Sequence, residues 1–187
     1  MKINNKFRYK YFVLLPLLVT QAGLAQNQQQ KLISQLNVPE NLKVPTGQTL
    51  VLKVSAKGTQ IYQCQAKVDN LYEFEWIFKA PQAYLFDNKG QKIGKHYAGP
   101  TWEANDGSKV IGQVKSRANS PNQSAIPWLL LEAKSNEGNG IFSKVKYIQR
   151  VNTVGGKAPT RGCDITHRNS QLSVSYSSNY YFYKAVP

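Results

Sequence analysis

From Thr49 onward, apolar and polar positions alternate. Leu50, Leu52 and Val54 interleave with Val51, Lys53 and Ser55, and Tyr62, Cys64, Ala66 and Val68 interleave with mostly polar residues. The clearest stretch sets Tyr72, Phe74, Trp76 and Phe78 against Glu73, Glu75, Ile77 and Lys79. Successive strand side chains point to opposite faces, so this spacing predicts one aromatic face and one mainly charged face. A helix would scatter the four rings around its circumference. Further strands are predicted at 83–86, before the turn cluster Asp87-Asn88-Lys89-Gly90, and at 110–114, after Asp106-Gly107. The run 127–133 is apolar but for Glu132, as expected of a strand buried on both faces. Residues 142–151 alternate loosely, and Leu172, Val174 and Tyr176 lead into Tyr180-Tyr181-Phe182-Tyr183. About eight or nine strands, separated by Gly, Pro, Asn and Asp, predict an all-β domain over 49–187. Its expected form is an antiparallel sandwich or barrel. No dozen residues carry a helical stripe, and no internal repeat is present.

The N-terminus breaks this pattern. Lys2, Lys6, Arg8 and Lys10 precede the short apolar run Phe12–Val19, and Gly23 and Ala25 supply small residues after it. Residues 1–25 therefore read as a signal peptide cut between Ala25 and Gln26, with an uncleaved anchor as the alternative. The apolar run is short for a bilayer span and no second run follows. The expectation is a secreted or periplasmic protein with no transmembrane span in its mature chain. Residues 26–48 are Gln/Asn-rich with Pro39, Pro45 and Gly47, and read as a flexible polar segment.

Charge narrows the partners. The formal net charge is +14, of which the leader holds four basic residues, leaving roughly +10 on the mature chain. Acidic polysaccharide, phosphorylated wall polymers and lipid head groups are the anionic partners such a chain meets after export. Nucleic acid is not expected there. The plainer reading is solvated lysine on outer strand faces.

The two cysteines, Cys64 and Cys163, are expected to form a disulfide in an oxidising compartment. Their separation of 99 residues makes the closed loop worth roughly 4–5 kcal/mol in the chain-entropy model. There is no C-x-x-C, and two histidines are too few to complete a soft-metal site.

Two segments could carry chemistry. The first runs from Gly94 to Ser108 and holds His96, Tyr97, Trp102, Glu103 and Asp106 among Gly and Pro. Loops held by rigid sheets commonly carry function. A Trp near carboxylates suits a sugar, whose apolar face stacks on the ring while acids accept its hydroxyls. These five residues are the candidate ligand site. Glu103 and Asp106 are also the weak candidates for an acid/base pair in glycoside hydrolysis. The structural alternative has Trp102 plugging a barrel end, Asp106-Gly107 forming a hairpin and Glu103 pairing with a lysine. The second segment, Asn152–Asp164, contains Gly155-Gly156-Lys157 but lacks phosphate-loop spacing. It reads as an ordered loop stapled by Cys163, with Lys157 and Arg161 available to an anion. His96, His167, Glu103, Asp106 and Asp164 could ligate a metal, but nothing in their spacing brings the histidines together, so no metal and no cofactor is expected. No G-x-S-x-G elbow is present, and a disulfide-bonded Cys cannot attack.

The run His96-Tyr97-Ala98-Gly99-Pro100-Thr101-Trp102-Glu103 with Asp106-Gly107-Ser108 is distinctive. Tyr62-Gln63-Cys64 precedes it. Ile126-Pro127-Trp128-Leu129-Leu130-Leu131, Gln149-Arg150-Val151-Asn152-Thr153, Gly155-Gly156, Ala158-Pro159 and Gly162-Cys163-Asp164 follow in order. Together they resemble a secreted family known as domain of unknown function 3455, over about residues 38–184. The resemblance implies a secreted single-domain protein and brings no catalytic residues. Three readings stay open, in order of preference: a secreted binding module for polysaccharide or another envelope component, a structural matrix protein without a small ligand, and a hydrolase using Glu103 and Asp106.

Overall fold

The structure is a computed structural model, and it describes residues 37–186. The leader at 1–25 and residues 26–36 of the polar segment lie outside the described residues. Eight strands follow one another: β1 (Gln48–Ala66), β2 (Phe74–Phe86), β3 (Lys92–Tyr97), β4 (Thr101–Ala104), β5 (Lys109–Ala118), β6 (Trp128–Glu137), β7 (Tyr147–Gly155) and β8 (Gln171–Ala185). Each pairs antiparallel with the next, and β8 pairs with β1, so one sheet closes into a ring. Closure gives every strand two neighbours over at least part of its length, which limits the edge that could template aggregation.

Strand boundaries differ from the expectation in an instructive way. The stretches around 50–54 and 62–68 are one 19-residue strand, β1. The stretch 72–78, from Phe74 onward, and the stretch 83–86 merge into β2. The pairing of these two strands carries a register shift between Ile61 and Tyr62. Gly58 permits their close approach, since a Cβ there would sit 2.1 Å from the Gln82 carbonyl. Conversely, the segment expected as a functional loop is the hairpin β3–β4. The aromatic face expected over 72–78 is not core: Tyr72, in the turn before β2, is 96% exposed and Phe78, on β2, is 49% exposed. The reason is topological. β3 pairs only with Ala83–Phe86, so the first half of β2 lacks a neighbour on that side.

The apolar stretch Trp128–Leu131 of β6 is covered on both faces. Leu129 and Leu131 line the ring's interior. Trp128 and Leu130 alternate with them and are also buried. Their outer face is covered by the short 3-10 turn Glu40–Leu42, which packs on β5 and β6. Leu42 is fully buried, its carbonyl accepts from Gln149 Nε2 at 2.6 Å, and Asn41 Nδ2 donates to Ser116 Oγ and the Arg117 carbonyl. The polar segment expected to be flexible is thus anchored from Glu40 onward, because one leucine in it fills an apolar seat.

The two ends of the ring differ. At one end the β6–β7 loop folds Phe142 inward, fully buried and 4.8 Å from the Phe182 ring. Residue 142 was expected to begin a strand; it is instead a plug, and β7 starts at Tyr147. The other end gathers the β1–β2, β3–β4, β5–β6 and β7–β8 connections. The Cys64–Cys163 disulfide forms there, with Cα atoms 5.4 Å apart. No helix among the described residues is long and apolar enough to cross a membrane.

Candidate functional site

Alternation along the β3–β4 hairpin sorts four of the five candidate residues onto two faces, and Asp106 lies beyond it in the β4–β5 turn. His96 pairs across from Trp102, and both point into the ring, at 2% and 1% exposure. Their rings stack at 4.4 Å, and Tyr180 meets them edge-on at 5.2 and 5.3 Å. Lys95, Tyr97 and Glu103 point outward. The Tyr97 hydroxyl donates to Glu103 Oε2 at 2.7 Å, and Lys95 Nζ lies 3.2 Å from Oε1. The acceptor bond from Tyr97, aided by Lys95, holds the Glu103 carboxyl below its usual range, while that same bond pushes the Tyr97 phenol up to about 12. The candidate site is therefore split by the pleat of its own strands. Trp102 offers no face on which a sugar polymer could stack.

Asp106 does a structural job. Its Oδ1 accepts from Ser108 N at 2.9 Å and Ser108 Oγ at 2.6 Å, and its Oδ2 accepts from Ile141 N at 2.9 Å. Ser108 Oγ in turn accepts from Phe142 N at 3.1 Å. The turn between β4 and β5 thereby pins the loop that carries the Phe142 plug. These bonds hold the Asp106 carboxyl below its ordinary range. Neither acid of the supposed pair has the raised affinity for protons that a general acid needs. Asp106→Ala is expected to cost about 1–2 kcal/mol in urea unfolding, as several backbone and hydroxyl donors lose their acceptor. In the parent chain the same contribution is full above pH ~4 and is lost as pH falls through the lower folded value, whereas the variant lacks that acid-limb loss.

The interior opens toward the end opposite the plug as a cavity of about 520 Å³. His96, Trp102, Tyr180 and Leu131 belong to its lining, and Phe78, Pro100 and Ile126 are among its apolar walls. His96 Nδ1 lies 2.8 Å from the Thr101 carbonyl and so carries the proton, leaving Nε2 as a lone pair. Burial lowers the His96 pKa to about 3, with the charge of Arg150 adding to the effect. The ring is neutral at any physiological pH. Trp102 Nε1 is buried without an acceptor among the described residues. Gln60 Nε2 and the Tyr176 and Tyr180 hydroxyls crowd together nearby, yet none of them makes a well-formed hydrogen bond there.

Among the described residues three cations belong to the lining, Lys79, Arg117 and Arg150, and no carboxylate does. None of the three was singled out as a site residue from the sequence. The signal was available in part: Arg150 occupies the same face of β7 as Ile148, an inward position where a cation is out of place. Knowing which face is inward requires the register that only the closed ring supplies.

The other candidates sit elsewhere. Lys157 Nζ donates to the Gln123 carbonyl, and the Arg161 carbonyl accepts from Trp76 Nε1 at 3.1 Å. Both residues are exposed on the β7–β8 loop. Asp164 caps the turn Ile165–His167 through Thr166 N and His167 N, far in role from the interior His96. Bonds from Thr166 and His167 pull the Asp164 carboxyl down to about 2.

The fold and its site define a class: a closed ring of eight antiparallel strands, plugged at one end and hollow at the other. The chain belongs to the family described as Protein of unknown function (DUF3455), whose model matches residues 45–184. No curated protein and no solved structure matches it.

Proposed function

We propose that this chain is an exported binding module that houses one small, largely apolar molecule in the mouth cavity. The observation that carries the reading is the 520 Å³ hollow bounded by His96, Trp102, Tyr180 and Phe78. Its size lies in the range that accommodates small ligands, roughly 300–1,000 Å³. Eight strands also close around an interior just wide enough to be filled or to hold one such molecule. The orphaned Trp102 Nε1 supports the reading, because buried donors ordinarily find a partner. The leader composition and the Cys64–Cys163 bridge support export. A polysaccharide partner finds less support, since a polymer needs an open aromatic platform and Trp102 is inside. Glu103 and Asp106 are committed to Tyr97, Lys95, Ser108 and Ile141, which disfavours the hydrolase reading.

The test uses the neutral reporter N-phenyl-1-naphthylamine, whose fluorescence rises in apolar surroundings. Saturable enhancement with one reporter per chain is expected. Leu129→Trp, which adds bulk at the cavity wall, is expected to weaken that binding at least about tenfold with the fold retained by circular dichroism. No enhancement, or equal binding by the filled variant, overturns the reading.

A further inference from the structure

Arg150 is a cation in an unusual setting. It sits half-buried on β7 between the cross-strand partners Leu129 and Tyr180. Its Nε and Nη2 donate to the Pro127 carbonyl at 3.1 and 2.9 Å, which fixes the plane of the guanidinium. It makes no ion pair among the described residues, where each ion-paired carboxylate has a Lys or His partner. Its charge is felt by His96, Tyr62 and Tyr176, which places its field inside the ring. Lys79 and Arg117 line the same cavity, and both are exposed.

A charge held out of water without a counter-ion is costly, and proteins normally pair it. Among the described residues partly buried Arg150 has no such partner, and the cation borders the largely apolar cavity. Neighbouring side chains do not supply it either: the neutral His96 carries no charge, and Gln60 and Tyr180 are uncharged groups.

Resting on the cavity reading above, we propose that the mouth cavity binds an amphipathic anion, a long-chain or aryl carboxylate, with its head group on Arg150. Lys79 and Arg117 add positive potential around the same opening and draw the anion in. The apolar body lies against the aromatic and aliphatic walls. The guanidinium suits this role because its planar fork matches a carboxylate in two parallel bonds. One edge of that fork is already spent on Pro127, so the edge bearing Nη1 faces the ligand. Arg150 is thus the specificity-determining residue, and the cavity walls supply affinity without regard to charge.

The experiment compares dodecanoate with dodecan-1-ol, two ligands of equal chain length that differ in head group, as competitors of the neutral reporter. Dodecanoate is expected to displace it at a concentration at least about tenfold lower than the alcohol. Arg150→Gln is expected to bring the two competitors within about twofold of each other while leaving the alcohol's own affinity unchanged. Arg150→Lys, which keeps the charge, is expected to retain most of the preference. The exposed pair Lys79→Gln with Arg117→Gln guards against misfolding of the Arg150 variant, and is expected to lower the preference about threefold. If the reporter binds but acid and alcohol compete equally, or if the preference survives both Arg150→Gln and the double variant, the anion assignment is wrong and the cavity reading stands. If the reporter does not bind at all, both fall.

Discussion

Replacing Trp102 by alanine is expected to cost about 3–5 kcal/mol of folding stability, read as a shifted urea midpoint with an unchanged slope. Trp102 stacks on His96 and meets Tyr180 and Phe182 edge-on, with centroids at 4.4, 5.3 and 6.0 Å. It therefore ties β3, β4 and β8 together across the ring. Its far rim lies where a side chain on Gly112 would begin, 3.0 Å from Cζ3, so β5 also closes on it. Truncation would merge the vacated space with the existing hollow rather than let the walls collapse, because the strands in contact with the indole, β3, β5 and β8, are each paired on both sides. Part of the loss is offset, since a buried donor without an acceptor leaves with the indole. Trp102→Phe isolates that offset: it keeps the stack, removes Nε1 and is expected to cost less than about 1.5 kcal/mol. A Trp102→Ala loss below about 1 kcal/mol would show that the indole is not part of the core.

This residue also shows what the sequence could and could not convey. Trp102 was legible as a special position, and a plug of a barrel end was one reading of it. Its role depends on which face of β4 is inward, and a four-residue strand carries too little alternation to declare that. The neighbours Tyr97 and Glu103 look like partners of Trp102 in the sequence; the pleat sends them to the opposite surface. By contrast, the run 127–133 announced burial on both faces, and β6 has it over Trp128–Leu131. Long-range facts were harder. Leu42 sits in a Pro- and Lys-containing stretch, and nothing local says that its seat is formed by β5 and β6. Arg150 was visible only as part of a family pattern, because its meaning lies in a cavity to which all eight strands contribute.

The two ends of the ring divide the labour. Asp106 and Ser108 fasten the Phe142 loop by main-chain bonds, so the closed end does not depend on the charge of an ion pair. The open end is held apart by aromatic packing and by the connection between β7 and β8. That connection is tied at several points: Tyr62 Oη donates to the Gly156 carbonyl at 2.6 Å, Cys64 N to the Ser170 carbonyl, and Asn169 N to the Cys64 carbonyl. A mouth framed in this way can stay hollow without collapsing.

Replacing both cysteines, as Cys64→Ala with Cys163→Ala, is expected to cost about 3–5 kcal/mol in the same urea measurement. The magnitude follows from the separation of 99 residues, since the bridge spans β1 to the β7–β8 loop and so restricts most of the unfolded chain. The cost should therefore appear mainly as a stability change. The hydrogen bonds that Cys64 and its neighbours make to 169 and 170 persist without sulfur, and the Tyr62 bond to Gly156 is independent of it. Reporter binding by the bridge-free variant is accordingly expected to stay within about threefold of the parent under conditions where both are folded. Native chain treated with an alkylating agent without reductant should take up no label. Two labelled thiols in the native protein would end the structural role assigned to the bridge. A double variant as stable as the parent would show that the loop closed by Cys163 is already restricted in the unfolded chain.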